Sequence, residues 1–283
     1  MADEGEAFRV YRPDGSVGWG AAAWSEMARE LRMSRELIWR LFLRDFSARY
    51  KQSVLGVLWA VIMPVATVAT FAFLNLSGVL NIGEVDVPYP VYALLGLTVY
   101  QMFAGGLAAC SGAIVAGGGM VVKINFPKET LVIASLGQAV VETLIRVGLL
   151  VLVFACYGIA PHWTAVFFPL LLLPLLLLTL GLGFLLSLLN VLVRDVAHIV
   201  TLGTTFLLFL TPVLYPAGKE GLFASVTAFN PLAALVSGPR DMVLSGRMAD
   251  PLHYTWASCF CVLLFLVSWR LFHMVEPRMA ERV

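Results

Sequence analysis

The stretch from Val147 to Val193 decides the fold class of this chain: VGLLVLVFACYGIAPHWTAVFFPLLLLPLLLLTLGLGFLLSLLNVLV. It contains no Asp, Glu, Lys or Arg. A helix of about 20 apolar residues crosses the hydrocarbon core of a bilayer, and a charge at its centre is expensive. The stretch is therefore long enough for two membrane-spanning helices.

The rest of the chain has the same character. Hydrophobic residues make up 60% of the 283 residues, charged residues make up 13%, and the mean hydropathy is +0.87. Soluble domains carry roughly 25% charged residues, so the composition indicates a membrane protein. We predict an all-α, polytopic membrane protein with six transmembrane helices. These spans are expected at about residues 54–78, 89–113, 130–157, 164–190, 196–214 and 252–272.

The distribution of basic residues predicts the orientation. Fifteen of the 19 lysines and arginines flank one set of span ends, whereas the opposite side has Lys219, Arg240 and Arg247. Because cytoplasmic loops carry the excess of Lys and Arg, both termini are expected in the cytoplasm. The formal net charge of +1 gives no argument for binding nucleic acid. The first 35 residues lack an apolar core with a cleavage site, so the N-terminus is expected to be retained.

The segment 219–250 does not fit a span. Its uncharged run of 19 residues contains Asn230-Pro231 and Gly238-Pro239, which disfavour a continuous helix. Non-helical backbone at membrane depth is tolerated where it is buried in protein or lines a cavity. We predict a re-entrant outer segment at about residues 216–248, between spans five and six, with a surface loop as the alternative.

An amphipathic helix is predicted just before the first span, where residues 34–51 read SRELIWRLFLRDFSARYK. Ser34 is expected to cap its N-terminus, and Asp45 and Arg49 have the spacing of a helical ion pair. We place this helix, residues 34–52, along the cytoplasmic membrane interface, either as a basic anchor alone or also as a docking surface. Residues 1–33 are predicted to be a cytoplasmic extension. The polar face of the helix holds Glu36, Arg40, Arg44 and Ser47.

The loop between spans two and three begins with glycines and continues as a mixed apolar and basic segment, GGGMVVKINFPK at 117–128. Neither this loop nor any other part of the chain matches the phosphate-binding pattern Gly-x-x-x-x-Gly-Lys-Ser/Thr. The chain itself is therefore not expected to hydrolyse ATP or to be an enzyme. The histidines share no motif and the cysteines lack metal-ligand spacing, so we predict no catalytic residue and no metal site.

Glu142 and Arg146 are four residues apart near the middle of the predicted third span. An isolated charge is costly there, but a neutralised pair is tolerable. We interpret the two residues as an intramembrane ion pair that faces protein or water. A contact with substrate or with a mobile helix is the alternative.

Short sequences at the ends of the predicted spans resemble one family. They are YKQSVLGVLWA at 50–60, VPYP at 87–90, KINFP at 123–127, LVRDV at 192–196, TPVLYP at 211–216, Asn230-Pro231 and Glu276-Pro277. In order and placement they resemble the polysaccharide-export permeases of type-2 ABC transporters. The resemblance covers roughly residues 34–283, and the family exports O-antigen, teichoic acid and capsule across the bacterial inner membrane.

This resemblance implies a six-span permease domain, residues 53–283, that works as a homodimer with two copies of a cytoplasmic ABC ATPase. The partner would bind ATP and Mg²⁺, and this chain would hold no cofactor. The substrate would be a lipid-linked polysaccharide such as O-antigen. It would move through a channel between the protomers, for which Trp59, Tyr100 and Phe209 are candidate lining aromatics.

The resemblance also assigns roles on the cytoplasmic side. It implies that the segment 117–128 is a coupling helix that enters a groove on the ATPase, and that the helix 34–52 is the interface helix. The residues expected to couple to the ATPase are Met120, Lys123, Asn125, Phe126, Pro127 and Lys128.

Two other functions are compatible with parts of this pattern. A type-2 ABC permease for a drug or a simple lipid would share the topology. A membrane-embedded glycolipid enzyme, such as a glycosyltransferase or lipid phosphatase, would need carboxylates or histidines clustered at one membrane face, and the sequence shows no such cluster.

Overall fold

The computed structural model describes residues 20–51, 55–78, 85–216 and 229–276, together with Ser225 and Thr227. Within these residues the regular structure is helical, without strands, which confirms the all-α fold class. The helices are α1 (Ala21–Met33), α2 (Arg35–Tyr50), α3 (Trp59–Leu76), α4 (Tyr89–Gly117), α5 (Gly119–Lys123), α6 (Glu129–Cys156), α7 (Phe168–Leu171), α8 (Leu173–Leu192), α9 (Val196–Leu210), α10 (Pro231–Leu244) and α11 (Pro251–Val275).

Proline marks the first turn of several helices. Its missing N–H costs nothing there, because the first backbone N–H groups of a helix have no partner within the helix. Side chains cap two of these helices: Asn230 Oδ1 accepts from Leu232 N at 3.0 Å, and Asp250 Oδ1 accepts from His253 N at 3.0 Å. The first-turn prolines are Pro90 in α4, Pro169 in α7, Pro174 in α8, Pro231 in α10 and Pro251 in α11.

Five helical segments within the described residues are long and apolar enough to cross a membrane. They agree with five predicted spans to within a few residues. The remaining predicted span, 196–214, corresponds to α9, which has 15 residues. At 1.5 Å per residue this helix is about 22 Å long, shorter than the hydrocarbon core, so the sixth span stays a prediction. The five segments are Gly56–Leu76, Tyr89–Gly117, Glu129–Cys156, Trp163–Leu192 and Pro251–Val275.

Helix α4 lies at the centre of the bundle, packed against α3, α6, α8, α9 and α10. Its side chains from Val91 to Tyr100 are buried, and together they form the middle of the larger apolar core. Close approach of α8 depends on Gly183, because a Cβ there would lie 2.5 Å from Cys110 Cβ. Because other helices surround α4, most of its sequence is apolar on every side of the helix.

The N-terminal region forms two helices that meet at Ser34. The Ser34 side chain makes no capping hydrogen bond, so its predicted role as a side-chain N-cap is wrong. Helix α1 lies within the predicted cytoplasmic extension and packs on the end of α11. Trp24 packs edge-on against Trp269, with 6.0 Å between the ring centroids. Arg270 Nη1 donates to Sδ of buried Met27 at 3.3 Å. Residues 1–19 of the predicted extension lie outside the described residues.

The bundle has two distinguishable ends. We call the end with α5, the start of α6 and the end of α11 the near end, and the end with α10 and the start of α4 the far end. At the far end, Arg240 from α10 lies 4.0 Å from the ring centroid of Tyr92, and its Nη1 donates to Pro212 O at 2.8 Å. Within the predicted re-entrant segment, residues 217–224 lie outside the description and α10 is a helix; membrane re-entry stays a prediction.

Candidate functional site

The exposed near-end surface combines α2 with α5. Glu36 accepts from Arg40 Nη2 at 2.7 Å on the solvent-exposed face of α2. One turn further on, Arg44 Nη1 contacts Met120 Sδ at 3.6 Å, so the predicted interface helix touches the predicted coupling segment. Ser47 is also exposed. The polar face of α2 therefore continues onto α5.

The expected pairing of Asp45 with Arg49 is wrong. Asp45 pairs with its neighbour Arg44 at 2.8 Å. Arg49 instead reaches Glu142 on α6, with 2.8 Å between Arg49 Nη1 and Glu142 Oε1. Helix α2 is thus tied to the transmembrane helices by a charge that the local pattern assigned to its own helix.

The predicted coupling segment contains an exposed turn at residues 123–125, followed by buried residues. Gly118, with φ of 45°, ends α4 and lets the chain turn into α5, because glycine tolerates this left-handed backbone. Lys123 and Asn125 are exposed, and Ile124 between them is 54% exposed. The three coupling residues that follow are buried: Phe126, Pro127 and Lys128. A partner can therefore reach residues 123–125, while residues 126–128 anchor the segment.

A buried polar network holds this anchor in place. Glu129 accepts from Trp269 Nε1 at 2.9 Å and lies 2.8 Å from His273 Nδ1. Glu276 accepts from the backbone N–H of Lys128 at 2.8 Å, and Lys128 Nζ lies 3.8 Å from the same carboxylate. We call these five residues the near-end clasp. It joins the end of the coupling segment and the start of α6 to the end of α11.

Burial and the nearby Glu129 carboxylate raise the pKa of Glu276 to about 7. The ligand atoms of Glu129, His273 and Glu276 lie within 4.8 Å of one another, close enough to share a cation. Several protein donors already occupy these carboxylates, so the arrangement serves first as a joint between helices. The sequence predicts no metal site and no cluster of this kind, because Glu129 is 144 residues away from His273 along the chain.

The predicted Glu142–Arg146 pair is present, and it is part of a larger group. Glu142 Oε2 accepts from Arg146 Nη2 at 3.0 Å while Glu142 Oε1 accepts from Arg49. When the Gln138 side-chain amide is oriented with its oxygen towards Arg49, this oxygen accepts from Arg49 Nη1 at 2.7 Å and from Arg49 Nε at 3.0 Å. The Arg146 side chain is 7% exposed and that of Glu142 is 14% exposed. Both side chains are therefore largely buried, and their position within the membrane stays a prediction.

A cavity of about 430 Å³ opens beside this group, between α3, α4 and α6. Arg49, Glu142 and Arg146 all line it, together with Gln101 from α4. Trp59, 47% exposed, forms part of its wall on α3. We call this cavity the arginine pocket. A larger cavity of about 570 Å³ lies at the far end, next to Arg240.

The three candidate channel aromatics occupy different environments. Trp59 and Phe209 are 47% and 52% exposed on α3 and α9. Tyr100 is only 2% exposed, and its hydroxyl donates to Thr204 O, which links α4 to α9 inside the protomer. The structure therefore brings Trp59 to a surface cavity but places Tyr100 in the core. Their role in a channel stays a prediction.

Comparisons with known proteins cover most of the chain. The profile of the ABC-2 type transporter family matches residues 36–244. The chain is 26% identical to the O-antigen export system permease protein RfbA of Myxococcus xanthus over 261 residues, which cover 91% of this chain and 99% of that protein.

Two further relatives are similar over most of their own length. The RfbA permease of Klebsiella pneumoniae is 26% identical over 84% of this chain and 91% of its own length. The polysialic acid transport protein KpsM of Escherichia coli is 23% identical over 84% of this chain and 93% of its own length. Because the family profile matches residues 36–244, well over half of the chain, this chain belongs to the ABC-2 type transporter family.

Proposed function

We propose that this chain is the permease subunit of an ABC exporter that moves a lipid-linked polysaccharide, such as O-antigen, across the bacterial inner membrane. The observation that carries the proposal is the similarity to an O-antigen export permease along 91% of the chain. Family membership places the chain in the membrane-spanning part of an ABC transporter, and no phosphate-binding loop is present in its sequence. ATP and Mg²⁺ belong to a separate ATPase subunit.

The near-end surface supports docking of that ATPase. Lys123, Ile124 and Asn125 project from a short turn whose base is fixed by the near-end clasp. An exposed apolar side chain flanked by polar ones is typical of a small docking contact. Because the base of the turn is anchored, a displacement of the turn is transmitted to α6 and α11. In this proposal the near end is cytoplasmic, both termini lie on that side, and two permeases pair with two ATPases.

An export assay tests the function directly. The protein is depleted in its host after any second exporter of the same class has been deleted, and both surface polysaccharide and lipid-linked polymer inside the cell are measured. We expect surface polymer to fall and lipid-linked polymer to accumulate inside. Restoring the wild-type chain should reverse both changes. Undiminished surface polymer without internal accumulation contradicts the proposal.

A further inference from the structure

The arginine pocket has an unusual balance of charge for its depth. Its described lining contains two guanidinium groups, from Arg49 and Arg146, and one carboxylate, from Glu142. Arginine stays protonated in proteins, so the described lining carries two positive charges and one negative charge beside a predicted span. A charge at this depth is expensive, and a neutral pair would have sufficed to hold α2 against α6.

The positions of the three charged groups suit a bound anion. Each oxygen of Glu142 accepts from a different arginine, which holds the two guanidinium groups on either side of one carboxylate. A guanidinium carries five donors in a planar fork and can contact a carboxylate and a phosphate at the same time. Arg49 has a side chain that is 55% exposed, so an incoming ligand can reach it. A phosphate is the complementary ligand.

The surroundings of the pocket suit an amphiphile that also carries sugar. The indole of Trp59 offers an aromatic face on which a sugar ring can stack, and Gln101 also lines the cavity. Just beyond, Ile62, Met63 and Val65 expose apolar side chains along α3. A hydrocarbon tail can lie on this surface while its head group enters the pocket. The cavity of about 430 Å³ falls within the size range of small-molecule sites.

We infer that the arginine pocket binds the phosphate-bearing head group of the lipid that carries the polysaccharide. Arg49 and Arg146 contact the phosphate oxygens, Trp59 packs against the first sugar, and the lipid tail lies along α3. Glu142 is a positioning residue that aims the two guanidinium groups. This inference rests on the proposed function, and it gives the Glu142–Arg146 pair a role beyond mutual neutralisation.

Binding of a defined lipid tests the inference without transport. The full-length protein is placed in nanodiscs of zwitterionic phosphatidylcholine, and binding of radiolabelled polyprenyl pyrophosphate is measured for the wild type, Arg49→Gln and Arg146→Gln. Loss of a charge-assisted contact should weaken binding by about tenfold or more in each variant. Arg40→Gln is the matched control, because Arg40 lies on the same helix, in an exposed pair with Glu36. It should bind as the wild type does.

Competition distinguishes the source of the phosphate. Unlabelled polyprenol has the same tail without phosphate, and phosphatidylglycerol has a phosphate without the polyprenyl tail. We expect both to compete poorly at equal mole fraction. Equal competition by polyprenol would show that the tail alone binds, and equal competition by phosphatidylglycerol would show a general site for anionic lipids. Either result overturns the inference.

Buried Arg146 also supports the fold, so the variants need a second measurement. Thermal melting reports folding, and Arg146→Lys keeps the charge while losing the planar fork. If Arg146→Gln does not fold, the test uses Arg49→Gln, because the Arg49 side chain is half-exposed in the wild type. Unchanged binding of the lipid by this variant is then enough to overturn the inference. If the arginine variants still export polysaccharide and bind polyprenyl pyrophosphate as the wild type does, this inference is wrong and the proposed function stands. Specific lipid binding in a protein whose depletion leaves export intact instead defeats the proposed function.

Discussion

A single buried carboxylate shows how residue chemistry shapes the near end. Glu276 is fully buried and holds the backbone N–H of Lys128, and its nearest titratable neighbours in the clasp are Glu129, His273 and Lys128. Burial disfavours the ionised form and raises its pKa to about 7 from an ordinary 4.5. The strength of the clasp should therefore respond to pH near neutrality.

Replacement of Glu276 by glutamine should flatten this response. Between pH 4.5 and 7 the unfolded carboxyl ionises while the folded one keeps its proton, so the free energy of unfolding falls as pH rises. The thermal midpoint of the wild type should therefore drop by about 5 °C more than that of Glu276→Gln over this range. Glutamine still accepts the Lys128 N–H. Melting curves in detergent at several pH values measure the difference.

A control separates this effect from other titrations. Glu36 has a side chain that is 73% exposed, and Glu36→Gln should keep the wild-type pH dependence. The burial of Glu30 on α1 also raises its pKa, and this titration is common to all three proteins. Identical slopes for the wild type and Glu276→Gln would show that the Glu276 carboxyl does not control the clasp.

Sequence spacing reveals contacts between residues only when they are local. The Glu142–Arg146 pair was predictable because residues four apart on a helix are neighbours. Arg49 was assigned to Asp45 by the same rule, but its partner is 93 residues away, on another helix. The contact between His273 and Glu129 spans 144 residues. No periodicity records such a pair, since tertiary packing alone brings it together.

At the scale of elements, the coupling segment is a short exposed turn on a buried base. Lys123, Ile124 and Asn125 are exposed, whereas Lys128 is 5% exposed and is paired with Glu276. Substitutions at residues 123–125 should therefore weaken binding of the partner, whereas substitutions at residues 126–128 should destabilise the fold.

The double substitution Lys123→Glu with Ile124→Asp should weaken association with the ATPase. It reverses one exposed charge and removes the exposed apolar contact, so the affinity should fall by about tenfold or more while the melting temperature changes little. Co-purification of the two subunits and thermal melting measure the two effects. The double substitution Arg40→Glu with Trp39→Asp on α2 is the matched comparison, since it also reverses an exposed charge and removes an exposed apolar side chain. Unchanged co-purification together with unchanged export would count against a coupling role.

The bounds of the long helices were predictable because physical signals mark them. Charge-free length gives the spans, and prolines mark the first turns of α4, α8 and α11. The docking of α1 was not predictable, since Trp24 and Met27 alone do not say which surface they meet. Helix α9 is shorter than its apolar stretch because the chain leaves helical geometry at Thr211, just before Pro212.

At the scale of the whole molecule, α3 and α9 expose much of their surface in a single protomer. On α9 the exposed side chains include the aromatic Phe206 and Phe209 and the hydroxyl residues Thr201 and Thr205. Threonine can satisfy its hydroxyl within its own helix, so these residues tolerate either lipid or water. In the proposed homodimer we expect this face of α9 to line the passage shared by the two copies.

A cysteine at Thr205 should therefore meet water in the assembled transporter. In a background with exposed Cys156 and Cys259 replaced by serine, Thr205→Cys should react with a water-soluble maleimide about tenfold faster than Leu263→Cys, because the thiolate that reacts forms in water and not in hydrocarbon. Leu263 is 63% exposed on α11, a helix assigned no place in the channel, and serves as the lipid-facing control. Labelling is followed by mass spectrometry in membranes that contain the ATPase. Equal rates at the two positions would place α9 against lipid and remove it from the passage.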